Sequence, residues 1–340
     1  MENRFTLEDY NANFDPFIGD ERRPKKLVDF ENEVRSAFLS FRNELREEDF
    51  SYVPTTLWHY TTTDSFFEIL KTNSIFLSDS DYLNDPNEGL KLCEDLLAIG
   101  ENLKNKSFSK LVKSYVDNRI LLSLGKTIGD RTTSGIHNCY LASFSATSTS
   151  LDQWRLYGDD ARGVCIGFEG KALIERLCDR NKLHLHKIRY KTIDRNKIVQ
   201  RIYDMYSDFI GKTDVFCSND KSPACFEALN FIKSQFLNFI SDIRYSIKHK
   251  AYKNEDEWRV RLRNGADFVQ EDMQYLSKRN AVTEVYKLSG KSYHDHKLPI
   301  RKIVCGPLHN EHLTKRFVAS LEDVYGKLIV TKSRLPYRGR

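Results

Sequence analysis

Apolar positions along the chain change period repeatedly, and each change marks a predicted element. Over 25–50, Val28, Phe30, Val34, Phe38, Phe41 and Leu45 recur near helical spacing and predict an amphipathic packing helix. TTLWHYTT (55–62) is dense in β-branched and aromatic residues and predicts a strand. A helix follows at once: Asp64 or Ser65 caps its start, Glu68 stands where a capping box needs it, Phe66, Ile69 and Leu70 form one apolar face, and Asn73 ends it. SIFLSD (74–79) is a short strand, and DYLNDPNEG (81–89) has the Asn, Asp, Pro and Gly of a turn. Helices are predicted over about 88–104 and 107–124.

The second half keeps alternating. NCYLASFS (138–145) reads as a strand, TSTSLDQWRLYG as a capped short helix, RGVCIGFEG as a strand closed by glycines, and LHLHKIRY (183–190) as a further strand. The stretch 195–250 is largely helical, interrupted by the loop TDVFCSNDKSP, and reads as an insertion. EWRVRL (257–262), TEVYKL (283–288), IRKIVCG (300–306) and KLIVTK (327–332) are strands, with a helix over 310–325. Single helices and short links between strands predict an α+β fold rather than a regular parallel α/β one. The expected organisation is a helical N-terminal segment over 1–50 and one domain over 51–340 that carries the helical insertion at about 195–250.

Composition narrows the class. At 340 residues and 40% apolar, the chain can bury a core without staples. Its seven cysteines, Cys93, Cys139, Cys165, Cys178, Cys217, Cys225 and Cys305, form no C-x-x-C pair and are expected to be reduced, as in a reducing compartment. The opening MENRFTLEDYNANFDPF has acids and aromatics where a signal peptide needs a basic start, and no apolar run reaches membrane-spanning length. A cytoplasmic protein away from membranes is expected. The net charge of +5 suits an anionic partner, a dinucleotide included, but falls short of a dedicated nucleic-acid binder.

The three tryptophans, Trp58, Trp154 and Trp258, lie in distant segments, each beside polar or ionisable groups. In WHYTT, strand alternation puts Leu57, His59 and Thr61 on one face and Trp58 and Tyr60 on the other, so His59 and Thr61 can share a pocket. A lone strand histidine is more often a satisfied structural residue. Glu255, Asp256 and Glu257 in NEDEWR also read as a solvated acidic turn, and charge pairing along one strand face accounts for Arg259, Arg261 and Arg263. Metal chemistry has less support: His294 and His296 in YHDHK lack a partner motif, and LNDPNE lacks calcium-ligand spacing. There is no P-loop, G-x-S-x-G or G-x-G-x-x-G.

The segment HYTTTDSFFEILKTNSIFLSD resembles the first NAD-binding motif of the ADP-ribosyltransferases, above all the His-Gly-Ser/Thr of the poly(ADP-ribose) polymerases, with matches at His59, Thr61, Ile69 and Leu70. Tyr60 stands where that family has glycine. EWRVRL resembles the strand that begins with the transferases' glutamate, at Glu257. The ordered set His-Tyr-Thr, LNDPNE, W-x-x-Y, GVCIGF, EWR and SRLPYR also resembles a widespread bacterial family, domain-of-unknown-function family 2971, over roughly 55–338. Those motifs are specific in combination and weak singly.

The transferase resemblance implies an ADP-ribosyltransferase-like fold, two small mixed sheets framing an NAD cleft. His59 would contact the adenosine ribose, Tyr60 would clamp the nicotinamide amide through its backbone, and the Thr61 hydroxyl would bond the same amide. Glu257 would be the catalytic residue, its carboxylate set against developing positive charge. Trp154 or Tyr157 would stack on nicotinamide, and Ser145 and Arg155 are weaker candidates for ribose or phosphate. NAD would be the substrate and a protein or nucleic acid the acceptor, in a bacterial toxin or antiviral effector. Two rivals stand beside this: an inactive module of the same fold that binds nucleic acid or protein through surfaces such as IKHKAYK (247–253), and a metal-dependent nuclease using Asp85, Glu88 or the acids at 255–257.

Overall fold

The computed structural model describes residues 24–80, 89–123, 139–177, 183–216, 223–263, 272–278, 281–289 and 297–337. It opens with helix α1 (Lys25–Ser51), in which buried Leu27, Phe30, Val34, Phe38, Phe41 and Leu45 keep helical spacing; Leu27 takes the core place that the pattern offered to Val28. Strand β1 (Thr56–Thr61) leads into α2 (Thr63–Thr72). The cap of α2 is Thr62, whose Oγ1 accepts the Ser65 N–H, two residues before the predicted Asp64 and three before Ser65. Asn73 ends α2 as expected, with φ of 50° in the left-handed region.

There follow β2 (Ser74–Asp79), α3 (Lys91–Asn102), α4 (Lys106–Ser123), β3 (Cys139–Ser145), α5 (Leu151–Leu156), β4 (Val164–Glu169), α6 (Gly170–Leu177) and β5 (Leu183–Lys187). Then come α7 (Thr192–Lys212), α8 (Pro223–Ile243), β6 (Glu257–Arg263), β7 (Met273–Lys278) and β8 (Ala281–Ser289). The chain closes with β9 (Ile300–Cys305), α9 (Glu311–Ala319), α10 (Glu322–Tyr325) and β10 (Ile329–Lys332). Helix α6 and strand β7 are additions to the sequence reading, and the single helix expected over 310–325 is two.

The ten strands of the described residues join in one mixed network, where two small separate sheets were expected. Its path runs β10-β9-β4-β1-β3-β2-β8-β7, and β6 attaches to β3 and carries β5. Strand β3 is therefore the fork. Along one edge it pairs with β6 over its full length, from Cys139–Arg263 to Ser145–Glu257. Its other edge is divided: Ser145 pairs with Trp58 of β1, while Leu141 and Tyr140 pair with Ser78 and Asp79 of β2. Only β10 beside β9 is parallel among these ladders.

One face of this sheet is apolar. Leu57, Ile166, Phe168, Phe144, Trp258 and Val260 pack there against Phe66, Ile69 and Leu70 of α2, Leu173 of α6 and Val318 of α9. A second core is all-helical and unites α1, α3, α4, α7 and α8, so the N-terminal helix and the predicted insertion share one layer. The opposite face of β3, β6 and β5 meets that layer through charge. Arg261 pairs with Asp242 of α8 at 3.2 Å, Asp242 with Arg42 of α1 at 2.9 Å, and Arg189 with Asp49 of α1 at 2.8 Å.

Cys93, Cys139, Cys165 and Cys305 are buried free thiols, and burial raises the Cys139 pKa to about 12. Cys225 is disulfide-bonded, which corrects the expectation of seven reduced cysteines. Its partner lies outside the described residues, and without a C-x-x-C spacing the sequence offered no way to see the pairing. Among the described residues no helix is long and apolar enough to cross a membrane.

Candidate functional site

The fork in the sheet positions the site. Between Ser145 and Leu141 the β1–β2 edge of β3 has no ladder partner, and in that gap the Nδ1 of His59 lies 2.9 Å from the Ser143 carbonyl. A carbonyl only accepts, so the proton sits on Nδ1. The imidazole thus replaces a missing ladder bond, and its ring stands 5.6 Å from Phe144. Ser143 is exposed although it lies in a strand with neighbours on both edges, so solvent enters the sheet at this point.

Glu257 lies on the far edge, in β6, and is 4% exposed. Arg259 grips it from two residues along the strand, Nε to Oε1 at 2.7 Å and Nη2 to Oε2 at 3.0 Å. Lys248 Nζ stands 3.1 Å from the same Oε2 and 2.6 Å from Glu255 Oε2. Burial alone would raise the Glu257 pKa, but Arg259 and Lys248, helped by a hydrogen bond from the Ser143 side chain, outweigh it and hold the pKa at about 2. Glu255 moves the other way: burial raises it, against the pull of Lys248. The backbone is fixed too. The Glu257 N–H donates to the Tyr190 hydroxyl at 3.1 Å, and the Ser145 hydroxyl donates to the Glu255 carbonyl at 2.8 Å.

Register sorts the predicted residues by face. Trp58 and Ser145 are paired and so are Ser145 and Glu257, which sets all three on one side. Tyr60 shares that side; its hydroxyl donates to the Thr147 carbonyl at 2.8 Å and accepts the Ser150 N–H at 3.3 Å. Trp154 meets the Tyr60 ring edge-on at 4.9 Å, and Tyr157 packs on the same cluster. The Trp58 ring lies against bare backbone: a Cβ at Gly167 would stand 2.8 Å from its Cζ3. Ser145, Tyr60, Trp154, Tyr157 and Glu257 are therefore on one side.

His59 and Thr61 point to the apolar side, opposite to Glu257, and His59 reaches β3 at the Ser143 carbonyl. Thr61 is buried, at 7% exposure. Trp154 is wholly buried and serves as core, whereas Tyr157 is half-buried and has the more accessible ring. Arg155 is exposed on α5.

Sequence reasoning missed Ser143, Lys248 and Tyr190. Ser143 was hidden by its neighbour Ser145, and Lys248 by its place in IKHKAYK, where Ile247 and Lys248 prove buried while His249–Lys253 are exposed. Glu255 and Glu257 are neutralised by cations, which leaves them poorly disposed to hold a divalent metal. Among the described residues no group of three His, Cys, Asp or Glu side chains could hold one. Asp85, Glu88, His294 and His296 lie outside the described residues, as does LNDPNE.

Residues 153–260 match the family described as "Protein of unknown function (DUF2971)". The matched stretch takes in Trp154, Tyr157, Lys248, Glu255, Glu257 and Arg259. No curated protein and no solved structure matches the chain.

Proposed function

We propose that the chain is an NAD-dependent ADP-ribosyltransferase acting on a macromolecule, with an ADP-ribosyltransferase-like cleft at the fork of the sheet. The reading rests on one observation: exposed Ser143, whose carbonyl accepts from His59, is paired across β3 and β6 with Arg259, the residue that grips Glu257. Strands β1 and β6, whose residues 59 and 257 lie nearly two hundred positions apart, both flank β3 here, and in this reading the gap between β1 and β2 is the way in for a dinucleotide.

In this reading the ionised Glu257 accepts the 2′-hydroxyl of the nicotinamide ribose. For that, Lys248 gives up its 3.1 Å contact with Oε2 and keeps its shorter one with Glu255. The C1′–N bond breaks with its electron pair leaving on nicotinamide, and the fixed negative charge stabilises the cationic sugar. The acceptor nucleophile then bonds C1′ and loses its proton. Tyr157, half-buried where Trp154 is wholly buried, is the ring that lies on nicotinamide in this reading, and Ser145 ties the end of β3 to the Glu255 carbonyl.

Glu257→Gln should lower nicotinamide release from NAD by about 10²- to 10³-fold. Thermal unfolding run alongside shows whether the buried Lys248 and Arg259 still hold the fold. A folded variant that releases nicotinamide as fast as the parent protein removes the mechanism. A second reading, a binding module of the same fold, draws on the saturation of both Glu257 oxygens by cations. An NAD titration that leaves the unfolding temperature of the parent protein unmoved favours it.

A further inference from the structure

We propose that the acceptor of this chain is single-stranded nucleic acid, docked on a basic and aromatic patch that borders Glu257. This deepens the transferase reading and rests on it for the transfer step, though not for binding. The patch comes from two segments. His249, Lys250 and Lys253 are all exposed on the short turn Lys250–Glu255 and its cap, and Lys191 is exposed at the start of α7. The isolated bridge between Arg189 and Ile247 and the hydrogen bond from the Lys248 N–H to the Arg189 carbonyl, 3.3 Å, hold the segments together.

Among the described residues, Lys191, Lys250 and Lys253 make no salt bridge, whereas exposed Lys212 and Lys315 each pair with an acid. Asp256 beside them is exposed and Asp194 half-buried, and on α5, which packs against the turn, exposed Asp152 is offset by exposed Arg155, so three lysines against two remaining acids leave a positive excess. Tyr252 is 37% exposed at its centre, and Lys248 Nζ stands 4.6 Å from its ring centroid. An exposed ring among cations that face phosphate is the arrangement on which unpaired bases stack. The same turn runs straight into Glu255 and Glu257, so a strand bound there presents its sugars and bases at the carboxylate. The His249 ring, accepting the Ala251 N–H at 3.2 Å, fixes the turn before any ligand arrives.

The test is fluorescence anisotropy with the full chain and labelled mixed-sequence oligonucleotides of about 20 residues, single-stranded DNA in one arm and RNA in the other. The Lys250→Glu/Lys253→Glu variant should bind at least about tenfold more weakly, and its slope of log affinity against log salt should fall by about 1.4, for two lost phosphate contacts. Tyr252→Ala should weaken binding by about 5- to 100-fold. Both lysines are exposed, so that variant retains its fold. With labelled NAD, it should lose transfer to the oligonucleotide yet keep hydrolysis of NAD by water. Oligonucleotide binding that the variants leave unchanged overturns the proposal. So does an acidic peptide that binds as tightly and ignores Tyr252→Ala. If no variant or parent protein consumes NAD while the binding losses appear, the transferase reading fails and the docking surface stands.

Discussion

On one face of the sheet Leu57, Phe144, Phe168, Trp258 and Val260 meet α2, α6 and α9 through carbon. On the other, Arg261 and Arg189 meet α8 and α1 through charge. Both faces are buried, and they do different work. Apolar contact supplies free energy in proportion to area and tolerates small slides. Paired charges in a dry seam add little net stability, but they lose heavily when displaced, because each partner is then left buried and alone. Arg261 finds Asp242 of α8, and Glu257 finds Lys248, in only one register of β6. The apolar face holds the molecule together, and the charged face fixes where Glu257 stands.

Three changes sharpen that contrast. The largest effect is expected on the apolar side, where Trp258→Ala should cost about 4 kcal/mol in a denaturant titration. Nearly as large, Asp242→Leu should cost about 3 kcal/mol, because Arg261, at 1% exposure, loses its acid. The double variant Asp242→Leu/Arg261→Met should recover most of that loss, whereas no second substitution of comparable simplicity refills the Trp258 cavity. A double variant as unstable as the single one refutes the distinction.

The smallest effect is in pH. Burial first, then Arg261, lowers the His184 pKa to about 2 from the ordinary 6.5, and burial lowers His186 despite Asp49 at 3.5 Å. The unfolded chain therefore takes up protons first. Stability falls as pH drops below 6.5, by about 2 kcal/mol for one such histidine at pH 5. Glu257 adds its own loss below 4.5, as pH approaches its folded value of about 2. Unfolding temperatures at pH 7 and 5 check the first window, and His184→Phe should flatten it.

The elements were legible wherever a period was strong. Alternation in TTLWHYTT and EWRVRL gave β1 and β6 with their correct faces, and Asn73 gave the end of α2. Strand β7, MQYLSK, was missed because it has no clean alternation: it lies at the end of the strand order with Tyr275 and Leu276 exposed. The larger blind spot was what covers a polar face. Alternation shows that Glu257, Arg259 and Arg261 share a side, and the natural inference is solvent. Only tertiary packing places Asp242 and Lys248, more than a dozen residues away from Arg261 or out of pattern with it, beneath that side. The same limit hid Ser143, since a hydroxyl exposed within a paired strand needs a gap between β1 and β2 that no local pattern records.

The fork has a consequence for synthesis. Ser145 leaves the ribosome long before its partner Glu257, and at about 5–20 residues per second β3 waits roughly 6 to 22 seconds for the strand that pairs its whole length. Until then its best ladder is absent, and the nascent chain exposes an unzipped hydrogen-bonding edge flanked by Phe144 and Tyr140. Helices α7 and α8 emerge within that interval. They can assemble their own core with α1 first, so that β6 arrives to a docking surface already built.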